Sequence, residues 1–436
     1  MLTGLVSVLA AAAVAASGQS GLRTLTLADA EAVTLAHQPQ LRVARAATDA
    51  AMARANEARA PILPQVNGVA SYQRTTANFA ARPGSLPSGV TGTTVSNSYD
   101  TYNYWNFGVT LSQFIWDFGV TTDRWGAAKA TAKSQAESER TTRATSLLNV
   151  RAAYYTARAN RALSDVAREN LSNQDQHLRQ IEGFVKVGQR PEIDLAQARS
   201  DRATAQAQLI SSENNYATAK AQLNLAMGVD GPADFEVATE ELTPVDGEDQ
   251  PATELVDEAR RARPELAVLE QQLRAQKLTV TSARGGYFPS LNASMAVTDA
   301  GTDITKMAWN WNVSVNANWN LFAGLQTYSQ IQEGQAGVRS LEAQRDALRQ
   351  QIYLDVEQAR LAVRANKATL HATDEALLNA RERLRLAEGR YTQGIGSVIE
   401  LGDAQVAVAT AGAQRTQAEF NLALARAQLV RALGRA

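Results

Sequence analysis

Residues 309–321 read Trp-Asn-Trp-Asn-Val-Ser-Val-Asn-Ala-Asn-Trp-Asn-Leu. Every second side chain from Trp309 to Leu321 is apolar, and the side chains between them are Asn or Ser. A period of two that is kept over thirteen residues predicts a β-strand with one apolar and one polar face. The polar face carries amides and hydroxyls instead of the Lys and Glu expected on a soluble sheet. The pattern therefore favours a strand whose apolar face contacts an apolar environment outside the protein.

Three further segments repeat this pattern, and we predict strands at about 64–75, 103–115, 288–299 and 309–321. Four of the six tryptophans lie in them, as the aromatic girdles of membrane strands require, and we expect the strands to be uncharged. Ten residues at ~3.3 Å each, tilted by ~40°, cover roughly 25 Å, the height of an outer-membrane apolar band. The pattern favours membrane strands over the alternative, a half-buried sheet in a soluble protein.

Four strands are too few to enclose a membrane pore. Within lipid every backbone polar group must be paired, so a sheet with open edges is excluded. The smallest closed membrane barrels have about eight strands. The chain must therefore oligomerise, and three copies would supply twelve strands.

Two long segments without proline, 119–186 and 324–391, predict the main helices. Each has about 67 residues, which corresponds to roughly 100 Å of helix. Apolar residues of the second segment follow each other at intervals of seven and four, which is typical of a coiled-coil seam: Leu341, Leu348, Ile352, Ala359, Val363, Leu370, Leu377 and Leu384. Helices of this length suit the wall of a tube that crosses an aqueous compartment.

The chain contains an internal repeat. Residues 158–162 (Arg-Ala-Asn-Arg-Ala) recur as Arg-Ala-Asn-Lys-Ala at 364–368, an offset of 206, and nearer the start the offset is 225. Two copies of about 200 residues indicate a duplicated structural half rather than a solenoid. We predict a first repeat over 21–228, an acidic linker over 229–253 and a second repeat over 254–436.

The composition excludes several classes of function. With 43 basic and 44 acidic residues, nothing favours a nucleic-acid partner. The chain has no cysteine, and we expect its three histidines (His37, His177 and His371) on helix surfaces rather than at a metal. Without a His cluster, a phosphate-binding glycine loop or a HExxH motif, we expect no enzyme and no cofactor. Residues 1–20 are apolar and small, which predicts a secretory signal peptide.

Short motifs in a duplicated order connect the chain to a family. They are the opening Leu-Thr-Leu-Ala-Asp-Ala at 25–30, the Gln-Pro step at 38–39, Leu-Pro at 63–64 with Phe-Pro at 288–289, Ile-Trp-Asp-Phe-Gly at 115–119 with Leu-Phe-Ala-Gly at 321–324, and Val-Gly-Gln at 187–189 with Gln-Gly-Ile at 393–395. In this order the chain resembles the TolC-type outer-membrane factors of the outer membrane efflux protein family.

The resemblance implies a mostly α fold with membrane β-strands: a homotrimer with a twelve-stranded β-barrel on a twelve-helix periplasmic α-barrel. It implies a passive exit channel in the outer membrane, coupled through a periplasmic adaptor to an inner-membrane transporter in a tripartite efflux system. The same channel type also serves type I protein secretion, which stays open. A soluble periplasmic coiled-coil scaffold would explain the helices but not four uncharged, Trp-flanked strands.

By resemblance, the turns between the long helices form the periplasmic tip that meets the adaptor. The residues implied at this contact are Gly188, Gln189, Arg190, Gly394, Ile395 and Gly396. A structural explanation of the glycines stands beside it, since a helix often ends in a glycine with positive φ. Both roles can hold at once.

Two acidic residues of the second repeat are candidates for a gate. Glu400 and Asp403 are three residues apart, so they share a helix face. The resemblance implies that both point into the narrowest part of the pore, where threefold symmetry makes rings of carboxylates that favour cations. For Glu400 the alternative is a capping box with Ser397, which by itself would explain a glutamate there.

The resemblance also implies that Tyr391 and Asp194 form hydrogen bonds between neighbouring helices and hold the tip shut. Alternatively, Asp194 is a first-turn carboxylate favoured by the helix dipole, and Tyr391 packs at the turn. The chain departs from the family pattern at Gly396, where a basic latch residue is expected. Arg190 is the candidate to replace it.

Overall fold

The computed structural model describes residues 23–76, 99, 101–240 and 243–435. The predicted signal peptide lies outside the described residues. The helices are α1 Leu27–His37, α2 Pro39–Arg59, α3 Val120–Lys186, α4 Glu192–Met227, α5 Ala252–Ala262, α6 Pro264–Gly285, α7 Gln326–Thr392 and α8 Val398–Ala432. The strands are β1 Arg23–Leu25, β2 Gln65–Thr76, β3 Thr101–Trp116, β4 Phe235–Val237, β5 Ser290–Gly301 and β6 Ala308–Asn318. None of the described helices is long and apolar enough to cross a membrane.

The two halves of the chain contain the same elements in the same order. Helices α3 and α7 each have 67 residues and begin 206 positions apart, at Val120 and Gln326. Strands β2 and β5 each have 12 residues and begin 225 positions apart, at Gln65 and Ser290. The prediction of duplicated halves of helix, strand, strand and helix is confirmed, at the two offsets read from the sequence.

A four-stranded antiparallel sheet has the order β2-β3-β5-β6. Its polar face contains side-chain contacts between strands, such as the 2.8 Å hydrogen bond between the hydroxyls of Ser294 and Ser314. On its apolar face Trp309 is 72% exposed and Val313 60% exposed, so the described part of the subunit does not cover this face. Within the described residues, β2 and β6 each pair on one side only. The sheet is therefore open at two edges.

The strands differ from the predicted ones in two respects. They are not free of charge, because Arg74 lies in β2 and Asp299 in β5, both near the end of the sheet away from the long helices. Strand β6 ends at Asn318, three residues earlier than predicted. The next residue, Trp319, donates a 3.0 Å hydrogen bond from its indole to the carbonyl of Tyr287.

Each long helix begins directly after a pair of residues in the left-handed region. The pair is Phe118 (φ 55°) with Gly119 (φ 95°) in the first half, and Gly324 (φ 58°) with Leu325 (φ 64°) in the second. These residues lie between the end of a strand and the start of a long helix. Each pair contains one glycine, the residue that adopts this conformation most easily. The glycine is the second residue of the first pair and the first residue of the second pair.

By its internal contacts the chain divides into two compact units. The first contains 1–38, 146–246 and 362–428, and its main core packs β1, β4, α1 and parts of α3 and α4 around Tyr154 and Leu223, which are almost fully buried. The second contains 39–145, 247–361 and 429–436, with the four-stranded sheet. Each unit takes segments from both repeats, so the compact units are not the two repeats.

One polar contact occurs once in each repeat, at the residue before a helix-starting proline. The side-chain amide of Gln38 donates to the carbonyl of Ala226 at 2.8 Å, and Nε of Arg263 donates to the carbonyl of Ala432 at 2.7 Å. The last carbonyls of a helix lack partners within the helix, so both contacts satisfy such a group. Arg263 is buried and also pairs with Asp355 at 2.8 Å.

Candidate functional site

The turns between α3 and α4 and between α7 and α8 have the same backbone geometry. Gly188 (φ 72°) and Gly394 (φ 78°) end the two long helices in the left-handed region. Each glycine amide donates to the carbonyl three residues earlier, and the amides of Gln189 and Ile395 donate to the carbonyl five residues earlier. This is the Schellman arrangement, so the prediction that the two glycines act as C-caps is confirmed.

The six predicted adaptor-contact residues differ in accessibility. Four of them are exposed, Arg190 is half-buried and Gly396 is buried; the exposed ones are Gly188, Gln189, Gly394 and Ile395. A Cβ at position 396 would lie 2.9 Å from the amide nitrogen of Tyr391, too close for any side chain without a shift of the turn. The turn thus has no room for a latch side chain at 396, and the buried Gly396 offers no surface to a partner in this subunit.

Beneath the turns lies an apolar cluster to which all four adjoining helices contribute. We name it the tip cluster, and its buried members are Ile181, Ala198, Ala387, Tyr391, Leu401 and Ala404. At ~25 cal/mol per Å² of apolar surface, burial of such side chains supplies most of the stabilisation of a packed helix end. The tip cluster therefore determines whether α3, α4, α7 and α8 stay together near the turns.

Tyr391 lies in the tip cluster with only 3% of its surface exposed. Its hydroxyl is buried and makes no hydrogen bond within the described residues, so the hydrogen bond between neighbouring helices that we predicted for Tyr391 is not formed inside one subunit. The guanidinium of Arg190 instead lies over the Tyr391 ring, 5.0 Å from its centroid, and 3.8 Å from the Asp194 carboxylate. Arg190, the predicted substitute for the latch, thus contacts both residues. Burial raises the pKa of Tyr391.

The two predicted pore carboxylates have different surroundings. The hydroxyl of Ser397 accepts a hydrogen bond from the Glu400 amide at 3.1 Å, which is one half of a capping box. The Glu400 carboxylate lies 3.2 Å from the guanidinium of Arg390, a residue in the last turn of α7. Asp403 is exposed. Capping thus explains the backbone contact of Glu400. The carboxylate of Glu400 forms an ion pair with Arg390 across the turn.

His177 corrects the expectation that all three histidines lie on helix surfaces. His37 and His371 are exposed, but only 7% of His177 is exposed. Its ring stands edge-on to Tyr391 with the centroids 5.6 Å apart, and its Nδ1 is buried without a hydrogen-bond partner in the described part of the chain. Burial lowers the pKa of His177, and the Asp201 and Asp194 carboxylates oppose that shift. Among the described residues, no group of His, Asp and Glu could hold a metal ion.

A signal for this burial exists in the sequence. His177 precedes the fully buried Ile181 by four residues and follows Gln174, also buried, by three. It therefore lies on the seam of α3, where a polar residue is easily mistaken for a surface residue. Gln174 donates to the side chain of Gln405 on α8 at 3.0 Å, which extends the polar contacts of this seam by one turn.

The comparison with known proteins identifies the family. The sequence pattern of the family described as Outer membrane efflux protein matches residues 32–229 and 255–435. The chain belongs to this family. Its matched part includes both long helices, all four strands of the antiparallel sheet and both turns.

Relatives and solved structures agree with this assignment. Outer membrane protein TolC of Escherichia coli is 24% identical over 424 residues, which cover 91% of this chain and 79% of TolC. The toluene efflux pump outer membrane protein TtgF of Pseudomonas putida is 25% identical over 386 residues, 86% of this chain and 76% of TtgF. The crystal structure of the outer membrane protein VceC from Vibrio cholerae has a TM-score of 0.79 at 16% identity, covering 94% of this chain and 96% of VceC.

Family and fold together define the class of the protein. It is an outer-membrane efflux channel protein. Members of the family are channels rather than enzymes. The predicted family, function class and location are confirmed.

Proposed function

We propose that the chain is one subunit of a homotrimeric, passive exit channel of a tripartite efflux system. A periplasmic adaptor and an inner-membrane transporter are its partners, and it needs no cofactor. The observation that carries the proposal is the four-stranded sheet, which is open at two edges and has an uncovered apolar face in the described part of the subunit.

The open edges supply the reason for the trimer. Unpaired backbone amides and carbonyls of β2 and β6 cannot remain unsatisfied in hydrocarbon. Pairing β6 of one subunit with β2 of the next satisfies both edges, and three subunits give twelve strands. In that ring the face with Trp309 and Val313 contacts lipid, and the face with Ser294 and Ser314 lines the lumen.

The turns supply the reason for assigning the partner and the gate to the ends of the long helices. Gly188, Gln189, Gly394 and Ile395 are exposed at the two ends of the helix pairs, where another protein can reach them. We assign the adaptor contact to these four residues together with Arg190.

The carboxylates beside the turns form the gate in this proposal. Glu400 and Asp403 would stand as two rings of three in the trimer and favour cations at the narrowest point. Tyr391, Asp194 and Arg190 would hold the tips of the helices together, with the hydroxyl of Tyr391 available to a neighbouring subunit.

Engineered disulfides test the trimer, because the chain has no cysteine of its own. One cysteine replaces Ser71 on β2 and a second replaces Asn310, Asn312 or Ser314 on β6. We expect one of these registers to give a covalent trimer on a non-reducing gel. The control carries Ser71→Cys with no second cysteine and gives no ladder up to a trimer. Products that end at dimer, or the absence of any product in all three registers, would contradict the proposal.

Crosslinking in the native cell tests the partner. Gln189→Cys and Ile395→Cys should capture one adaptor protein, whereas Ser329→Cys, exposed near the start of α7, should not. Equal capture at all three positions, or none in an intact outer-membrane trimer, would remove the tip assignment. The transporter that co-purifies with the adaptor separates efflux from type I secretion.

A further inference from the structure

Two polar atoms are buried beside the tip cluster without partners among the described residues. They are Nδ1 of His177 and the hydroxyl of Tyr391, whose rings meet edge to face. A buried polar group without a hydrogen bond lowers stability by about 1–3 kcal/mol, so such a pair requires an explanation.

Charged groups approach His177 from only some of the elements around it. Helix α4 contributes the carboxylates of Asp194 and Asp201, and α7 contributes Tyr391. From the α3–α4 turn Arg190 covers the Tyr391 ring. Helix α8 brings apolar members to the tip cluster, Leu401 and Ala404. A neutral imidazole fits this setting.

A protonated imidazole does not fit it as well. The imidazolium has two N–H donors, and the buried Nδ1–H would have no acceptor among the described residues in the packed state. The positively charged guanidinium of Arg190 already lies over the Tyr391 ring, which the imidazole also contacts. The two carboxylates of α4 reduce the unfavourable charge but do not accept a hydrogen bond from Nδ1 in the packed state.

We propose that His177 makes closure of the periplasmic tip dependent on pH: protonation of its imidazole loosens the tip cluster and opens the channel in acid. This inference rests on the proposed function, in which the helix turns form the closed end of the channel.

The direction follows from which state binds the proton better. The packed state keeps His177 buried with a lowered pKa, and the loosened state exposes it with an ordinary pKa of 6.5. The packed state therefore binds fewer protons, and it loses stability as the pH falls below about 6.5 until the lowered pKa is reached. Each pH unit within that window shifts the equilibrium of one subunit by at most about tenfold.

Single-channel recording of the purified full-length protein in planar bilayers tests the inference. Between about pH 7.5 and pH 5.5, in the range where histidine titrates, we expect the open probability of the unmodified channel to rise several-fold. His177→Gln, which cannot take up a proton, should lose this rise. His371→Gln, at an exposed site on α7, should keep it. Glu400 and Asp403 are the same in all three proteins, so the comparison isolates His177.

The outcomes separate this inference from the proposed function. A His177→Gln channel with an unchanged pH response overturns the inference and leaves the channel standing. An unmodified protein that forms no conducting oligomer at any pH contradicts the proposed function instead.

If His177→Gln does not assemble, hydrogen exchange of the unmodified protein tests the inference instead. In the unmodified protein, exchange at residues 178–198 should accelerate on acidification beyond its intrinsic pH dependence, with no matching change at the start of α3. Uniform behaviour of both segments overturns the inference.

Discussion

Replacing Gly396 by alanine should loosen the periplasmic turn between α7 and α8. The new Cβ would lie 2.9 Å from the amide nitrogen of Tyr391, 3.0 Å from the carbonyl carbon of Arg390 and 3.1 Å from its Cβ. Two of these three atoms belong to the backbone, which cannot rotate away as a side chain can. The Gly396 amide also donates to the Arg390 carbonyl at 3.0 Å, and a shift of the turn would lengthen that bond.

The magnitude follows from the cost of overpacking. Extra methyl groups in well-packed sites destabilise by typically 1–3 kcal/mol, so about 2 kcal/mol is expected here. At ~1.4 kcal/mol per factor of ten, amide exchange near the turn should accelerate about 30-fold. Gly402→Ala is the matched control, because Gly402 lies in α8 and its new Cβ would meet none of the described neighbours within 4 Å. That change should stabilise the helix by ~0.5–1 kcal/mol.

Hydrogen exchange with mass spectrometry, read at residues 387–404 of both variants, checks the prediction. Opposite signs for Gly396→Ala and Gly402→Ala are the expected result. If the two variants exchange alike, the steric account of Gly396 is wrong, and the missing latch residue needs another explanation.

Three further predictions concern the rest of the chain. Arg263→Met should destabilise by about 3 kcal/mol in chemical denaturation, since it leaves the Asp355 carboxylate without its buried partner. Thr26→Ala should lower stability by about 1 kcal/mol, because Thr26 caps α1; Thr26→Ser should restore it. The hydrogen bond from Arg435 lowers the pKa of Glu258, so that pair stabilises above about pH 4.5 and its contribution is lost as the pH falls; a Glu258→Gln variant should lack this acid-dependent part in thermal melts.

The strands and long helices could be predicted because their patterns are local. The alternation in 309–321 needs no knowledge of the neighbours, and β6 differs from it only at the ends. The absence of proline sets α3 and α7, whose bounds differ from the predicted ones by at most two residues. The turn glycines could be interpreted for the same reason, since a C-cap is a property of the chain itself.

The candidate site was less predictable because it depends on contacts between distant segments. The burial of His177 and the stacking of Arg190 on Tyr391 join α3, the first turn and α7. The burial of Gly396 depends on how its own turn closes, which its identity does not reveal. The expectation of uncharged strands was wrong at Arg74 and Asp299, which lie inside the predicted ranges but near the ends of β2 and β5, where the apolar alternation restricts the type of side chain less.

The polar face of the sheet has an electrical consequence for the assembled channel. The described side chains of this face are amides, hydroxyls, phenols, small residues and a few apolar residues, and they include no Lys, Arg, Asp or Glu. The two charged residues of the strands, Arg74 and Asp299, lie on the other face with Trp309 and Val313. The membrane section of the proposed trimer would then act as a neutral resistor in series with the carboxylate rings of the gate. Ion selectivity and its dependence on salt, measured across the whole channel, would report on the gate, and only the total resistance would include the sheet.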